Sequence, residues 1–130
     1  MLVGAGADVN ARSESGNTPL HASVIHGYVE LSQMLLGAGA NLQALDNKRQ
    51  TPLHLSVSNR RVELSRMLVR VGADVQATNI HGQTPLHLAA IHGDVKLSQM
   101  LVGAGANLNA TDIDGSTPLH KSAYNGHMEI

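Results

Sequence analysis

The chain has no cysteine, phenylalanine or tryptophan, and Tyr28 and Tyr124 are its only tyrosines. Without cysteine there is no disulfide, no thiolate nucleophile and no zinc site of the cysteine type. Without large aromatic rings, the interior must be built from Leu, Val, Ile, Met and Ala, which suits thin helix-on-helix layers. No apolar run approaches the roughly 20 residues that a membrane helix needs, so no membrane association is expected. The start, Met1-Leu2-Val3-Gly4, lacks a basic segment followed by an apolar one. No secretory leader is therefore expected, and the setting expected is intracellular, cytoplasmic or nuclear. Basic residues are not in excess either: the formal net charge is −1 over 130 residues, which argues against general nucleic-acid binding.

What is present is periodic. Thr-Pro-Leu-His occurs at Thr18–His21, Thr51–His54, Thr84–His87 and Thr117–His120, each copy 33 residues after the last, without insertion or deletion. A fixed period of this length is the signature of a stacked repeat array. In each unit the Thr can cap a helix N-terminus and the Pro suits the first helical position. A first helix is expected over about Leu20–His26, with Gly27 as its left-handed end. A second is expected over about Val29–Leu36, where Leu31, Met34 and Leu35 share a face. Neither could stand alone at this length, so stability must come from stacking.

The register divides the chain into the end of one repeat at 1–12, full repeats at 13–45, 46–78 and 79–111, and a partial repeat at 112–130. Met1–Ala11 aligns with Met100–Ala110, and Ile130 falls at the position of Leu31. Both ends are thus expected to present apolar stacking surface, and head-to-tail self-stacking of copies is one expected consequence. The repeat at 79–111 is the most regular in its glycines and its Thr-Pro-Leu-His. The repeat at 46–78 breaks two rules. Arg49 stands where the others have Gly16, Gly82 and Gly115, and Arg60 where they have Gly27, Gly93 and Gly126. Positive φ is cheap for glycine and costs a residue with a β-carbon roughly 1 kcal/mol. Repeat drift and a functional or strained site both account for such breaks. The same repeat holds Lys48, Arg49, Arg60, Arg61, Arg66 and Arg70, six of the nine basic side chains; a solvated surface and a docking patch both fit.

Gly-x-Thr-Pro-Leu-His, an Ala/Ser pair, a Gly, an apolar helix and then Gly-Ala-(Asp/Asn)-(Val/Leu)-(Asn/Gln)-Ala resemble the ankyrin repeat over essentially the whole chain. The resemblance implies an all-α solenoid of stacked ankyrin repeats, each an antiparallel helix pair with a β-hairpin loop. It implies that each motif histidine ties its own loop to the next repeat. It also implies a non-catalytic protein–protein interaction module or scaffold, reading its partner with the concave side formed by hairpin tips and first-helix faces. Carried onto this chain, the partner-binding candidates are Lys48, Asn59, Arg60, Ile80, His81, Ile91, His92, Ile113, Tyr124 and Asn125. Gln50, Gln83 and Ser116 belong to the same variable loops. The basic second repeat suggests an acidic segment on the partner.

Other chemistry finds little support in the residues. Four of the eight histidines belong to the motif, and His26, His81 and His92 lack an obvious carboxylate to complete a metal site, so no metal or cofactor is expected. Asp112 and Asp114 suit a turn better than an acid–base pair. Gly-Ala-Gly-Ala follows a helix instead of opening one, which removes the phosphate-cradling geometry. The family resemblance implies one modification instead: Asn10 and Asn109 match the asparagine that 2-oxoglutarate-dependent hydroxylases modify, with Gln43 and Gln76 at the equivalent places. An engineered or consensus-like scaffold without a native ligand is the alternative reading. The gap-free period favours it, and the irregular repeat at 46–78 speaks against it.

Overall fold

Seven short helices follow one another in the computed structural model, which describes residues 4–128. They are α1 (Pro19–His26), α2 (Val29–Gly37), α3 (Pro52–Ser58), α4 (Val62–Arg70), α5 (Pro85–His92), α6 (Val95–Gly103) and α7 (Pro118–Tyr124). The expected alignments of Met1–Val3 and Ile130 lie outside the described residues.

Each first helix begins in the same way. Thr18 is extended, its hydroxyl accepts from the His21 amide, and His21 Nδ1 accepts in return from the Thr18 amide at 3.0 Å. The pair satisfies two amides that a helix start leaves without partners, with histidine in the place usual for Glu or Gln. Thr51/His54, Thr84/His87 and Thr117/His120 repeat it. The ends differ: α1 and α5 close on left-handed Gly27 and Gly93.

First helices pack in the order α1, α3, α5, α7, and each of α1, α3 and α5 is backed by its own second helix. One apolar seam results. Leu20, Val24, Leu53, Val57, Leu64, Leu68, Leu86, Ala89, Leu97 and Leu101 lie along it, all buried. The seam runs through the three full repeats as one cluster, which is the physical reason that the array, not the unit, is the stable object.

Among the described residues there is no β-strand. The expected β-hairpins are tight turns instead, each closed by two backbone bonds, as in Asp46 N–H to the Gln50 carbonyl and Arg49 N–H to the Asp46 carbonyl. Their arms are too short to make a ladder. Successive turns nevertheless join: the amides of Asn47, Ile80 and Ile113 donate to the carbonyls of Ser15, Lys48 and His81 at 3.0–3.1 Å.

Candidate functional site

Two kinds of side chain leave the buried seam: those that tie one repeat to the next, and those that face solvent without a partner. The first kind includes the motif histidines. Because Nδ1 of His21 accepts from the Thr18 amide, its proton sits on Nε2, which donates to the Gln50 carbonyl of the next turn at 3.0 Å. His54 reaches the Gln83 carbonyl at 2.9 Å and His87 the Ser116 carbonyl at 2.8 Å. Burial lowers the His54 pKa below its ordinary value, against the raising effect of its bond to Gln83. His120 keeps its bond to Thr117, is exposed, and lies with its ring tilted 35° to that of Tyr124 at 6.2 Å.

A second set of ties crosses at the far ends of the first helices. Nε and Nη2 of Arg61 both donate to the Ile25 carbonyl, at 3.2 and 3.0 Å. His127 Nε2 donates to the Ile91 carbonyl at 3.0 Å. Both long side chains pass directly over a glycine. A β-carbon at Gly27 would stand 3.1 Å from the Arg61 guanidinium, and one at Gly93 only 2.5 Å from the His127 ring. Between these two crossings the glycine is replaced by Arg60, and the residue across from it is short. Asp94 accepts the Leu97 amide on Oδ1 and meets Arg60 Nε on Oδ2 at 3.5 Å. Sequence reading counted Arg61 only as one of the basic side chains and gave Asp94 and His127 no role; the signal for all three was that the residue after the glycine position changes from Tyr28 to Arg61, Asp94 and His127.

A third set lies on the loops that follow the second helices. Asn10 Nδ2 donates to the Gly39 carbonyl at 3.2 Å and Oδ1 accepts the Asn41 amide at 2.7 Å. Gln76 makes the same two bonds to Gly105 and Asn107. Asn109 is exposed. Asp112 shapes its turn as expected: Oδ1 accepts the amides of Asp114 and Ser116, and Oδ2 pairs with Lys121 at 3.0 Å. Burial would raise the Asp112 carboxyl, but those amides and the Lys121 ammonium hold it below the usual carboxylate range.

The repeats tied together in this way belong to a recognisable family: the family model for ankyrin repeats, three copies, matches residues 1–79 and 72–130. The chain is an ankyrin-repeat protein. Comparison with individually curated proteins found no match.

In this ankyrin array the expected partner-binding residues divide in three. Ile80 and Ile113 stand on the tips of the third and fourth turns, 45% and 68% exposed, beside exposed Lys48 and His81. Asn59, Arg60, His92, Tyr124 and Asn125 form the rim where first helices end; all are exposed, and the Asn59 and Asn125 amides donate back to the carbonyls of Leu55 and Lys121. Ile91 is different, because it is half-buried and packs against the core. Ser116, grouped above with the variable loops, is buried, and with Gln50 and Gln83 it supplies the carbonyls that receive histidine.

Two further concavities bracket the stack. One of about 490 Å³ is lined by Val9, Pro19, Ala22, Tyr28, Leu31 and Leu35, and is almost wholly apolar. One of about 380 Å³ lies against Leu86, Val102, Leu108, Pro118 and Leu119. Among the described residues no group of three His, Asp or Glu side chains stands close enough to hold a metal ion. No described helix is long and apolar enough to cross a membrane.

Proposed function

We propose that the chain is a non-catalytic protein–protein interaction module that reads its partner with its turn tips and the rim of its first helices. Binding other proteins is the general role of ankyrin repeats. The observation that carries the proposal to this chain is the exposure of large apolar side chains at those places: Ile80 and Ile113 on the turn tips and Tyr124 on the rim. Large apolar side chains held in solvent on a packed framework are what an interface supplies. The unpaired positive charge of the second repeat then steers an acidic segment to that face.

Affinity capture on the immobilised chain tests this, with Tyr124→Glu and His92→Glu as controls. Both positions are exposed, so the substitutions leave the core intact, which a change at half-buried Ile91 would not. Partners retained by the parent chain and lost on both variants support the proposal. Equal capture by all three chains refutes it.

Two subsidiary readings follow from particular features. The concavity at Val9, Pro19 and Leu31 is apolar and the one at Leu86, Pro118 and Leu119 is partly so, which supports head-to-tail association; an apparent mass that does not rise with concentration in light scattering excludes it. Asparagine hydroxylation is the other. Asn10 and Asn109 are both exposed, but Asn10 must release Gly39 and Asn41 before its side chain can enter an enzyme, whereas among the described residues only the backbone amide of Asn109 is bonded. Modification is therefore expected first at Asn109, as a mass gain of one oxygen on the peptide that carries it.

A further inference from the structure

The turn tips form a charged and apolar sequence of their own. Lys48 and Arg49 are exposed on the second tip, and among the described residues neither makes an ion pair. Asp46, in the same turn, has its Oδ1 committed to the amides of Lys48 and Gln50. Ile80 follows on the third tip and Ile113 on the fourth, both exposed, with Asp114 beyond. These tips are joined, because the Ile80 amide donates to the Lys48 carbonyl and the Ile113 amide to the His81 carbonyl, each at 3.0 Å. They make a continuous ribbon in which charge and apolar side chains keep fixed places.

Arg49 singles out the second tip. It holds φ 58°, in the left-handed region where the corresponding Gly16, Gly82 and Gly115 have φ 81°, 71° and 77°. The chain thus carries a strained backbone in order to place a second cation beside Lys48, although glycine would serve the turn better. Strain kept at an exposed, unpaired charge points towards use of that charge.

From this geometry we infer that the ribbon binds an extended peptide segment of a partner protein, with a carboxylate over Lys48 and Arg49 and apolar side chains over Ile80 and Ile113. The inference rests on the interaction-module reading and adds the chemistry and spacing of the ligand. Each tip contributes two chain segments, and hydrogen-bonded segments lie about 4.8 Å apart, so the tips recur about every 10 Å. A peptide extended as polyproline II advances about 3.1 Å per residue with three residues per turn, so side chains on one face recur about every 9 Å, at every third residue. The recognised pattern is therefore acidic-x-x-apolar-x-x-apolar, or its reverse. One register is favoured: a shift by one tip places an apolar side chain over Lys48, or the carboxylate over Ile80, and a carboxylate at the fourth tip meets Asp114.

Selection of a random peptide display library on the full chain tests the pattern, followed by fluorescence anisotropy with a synthetic peptide from the enriched pool. Enriched peptides should carry a carboxylate and two apolar residues at three-residue intervals. Arg49→Gly should weaken the peptide about three-fold while raising the melting temperature, so that loss of fold cannot explain the loss of binding. Ile113→Glu should weaken it about ten-fold or more. Reselection on the Lys48→Glu/Arg49→Glu double variant should exchange the carboxylate for Lys or Arg. Failure to enrich any peptide, enrichment without the spacing, or affinity indifferent to Arg49→Gly and Ile113→Glu overturns the inference. If capture in the first experiment still depends on Tyr124 and His92 while the peptides ignore the tips, this inference alone fails and the interaction-module reading stands. If neither set of changes matters, both fail.

Discussion

Arg60 Nε lies 3.5 Å from Asp94 Oδ2 across a repeat boundary, the one place among the described residues where a non-glycine residue ends a first helix with positive φ, at 59°. The pairing explains how the break is tolerated. Where Gly27 and Gly93 stand, the following repeat sends Arg61 or His127 across them. At Arg60 the β-carbon occupies that space, and the following repeat presents a short carboxylate instead.

The two strained arginines are therefore expected to respond differently to glycine. The left-handed conformation costs about 1–2 kcal/mol for a residue with a β-carbon, and glycine returns about 0.4–1 kcal/mol of that through the unfolded chain. Arg49 has no compensating partner, so Arg49→Gly should stabilise by roughly 0.5–1 kcal/mol. Arg60→Gly should gain less, because it removes a largely exposed ion pair worth about 0–1 kcal/mol. Urea denaturation of the two variants against the parent chain checks the order; a larger gain for Arg60→Gly contradicts the compensating role of Asp94.

A second prediction concerns a hydroxyl without a partner. Ser23 and Ser32 share a hydrogen bond of 2.7 Å between buried helices, and Ser56 and Ser65 repeat it at 2.7 Å. In the third repeat Ala89 takes the first place, and Ser98 Oγ is left buried with no hydrogen-bond partner. The repeat most regular in its glycines thus carries a defect. A buried unsatisfied polar group costs about 1–3 kcal/mol, so Ser98→Ala should stabilise, whereas Ser65→Ala should destabilise. Thermal melts of both variants decide it, and a destabilised Ser98→Ala chain counts against the orphaned hydroxyl.

The motif histidines should not be equivalent. His54 is fully buried and joins Thr51 to Gln83, while His120 is exposed and bonds only within its own turn. His54→Ala removes a packed ring and leaves a buried amide and carbonyl unmet, for an expected loss of about 3 kcal/mol. His120→Ala should cost about 1 kcal/mol, the value of a capping interaction. Comparable losses in chemical denaturation would show that the bond to the next repeat contributes little.

Stability should also fall on the acid side in two stages. The folded-state pKa of His54 is lowered from 6.5 by burial. The unfolded chain then takes up the proton first, so stability is complete above about pH 6.5 and declines as pH falls towards the folded-state pKa. Asp112 is lowered from 3.8, despite burial, by amide bonds and Lys121. Its contribution is present above that value and is lost as pH falls through its folded-state pKa. Denaturant midpoints measured from neutral pH downwards should show both stages, with the upper one reduced in a His54→Gln variant.

Most of the framework was legible in the chain itself. Thr18 before Pro19, His21 three residues after Thr18 and Gly27 after His26 are local signals. Capping and turn formation depend on neighbours a few residues away, so a repeated sequence repeats them. Arg49 and Arg60 were visible for the same reason, since a missing glycine at a left-handed position is a local conflict. The family resemblance put Ile80, Ile91, Ile113 and Tyr124 alike among the partner-facing positions; Ile80, Ile113 and Tyr124 are exposed, whereas Ile91 is half-buried against the core.

The sequence by itself thus determined the period, the helix pair of each repeat, the threonine caps of the first helices, and the two positions where a side chain sits in glycine's conformation. Only the tertiary structure decided that Arg60 meets Asp94, that Arg61 and His127 cross a glycine to reach a carbonyl, that Ser98 is orphaned, and which tips join into a ribbon. Those pairings link residues 34 and 36 apart in two of these cases. They depend on how far a side chain reaches and on what space its neighbour in the next repeat leaves. A period records which positions are equivalent; it does not record which of them touch.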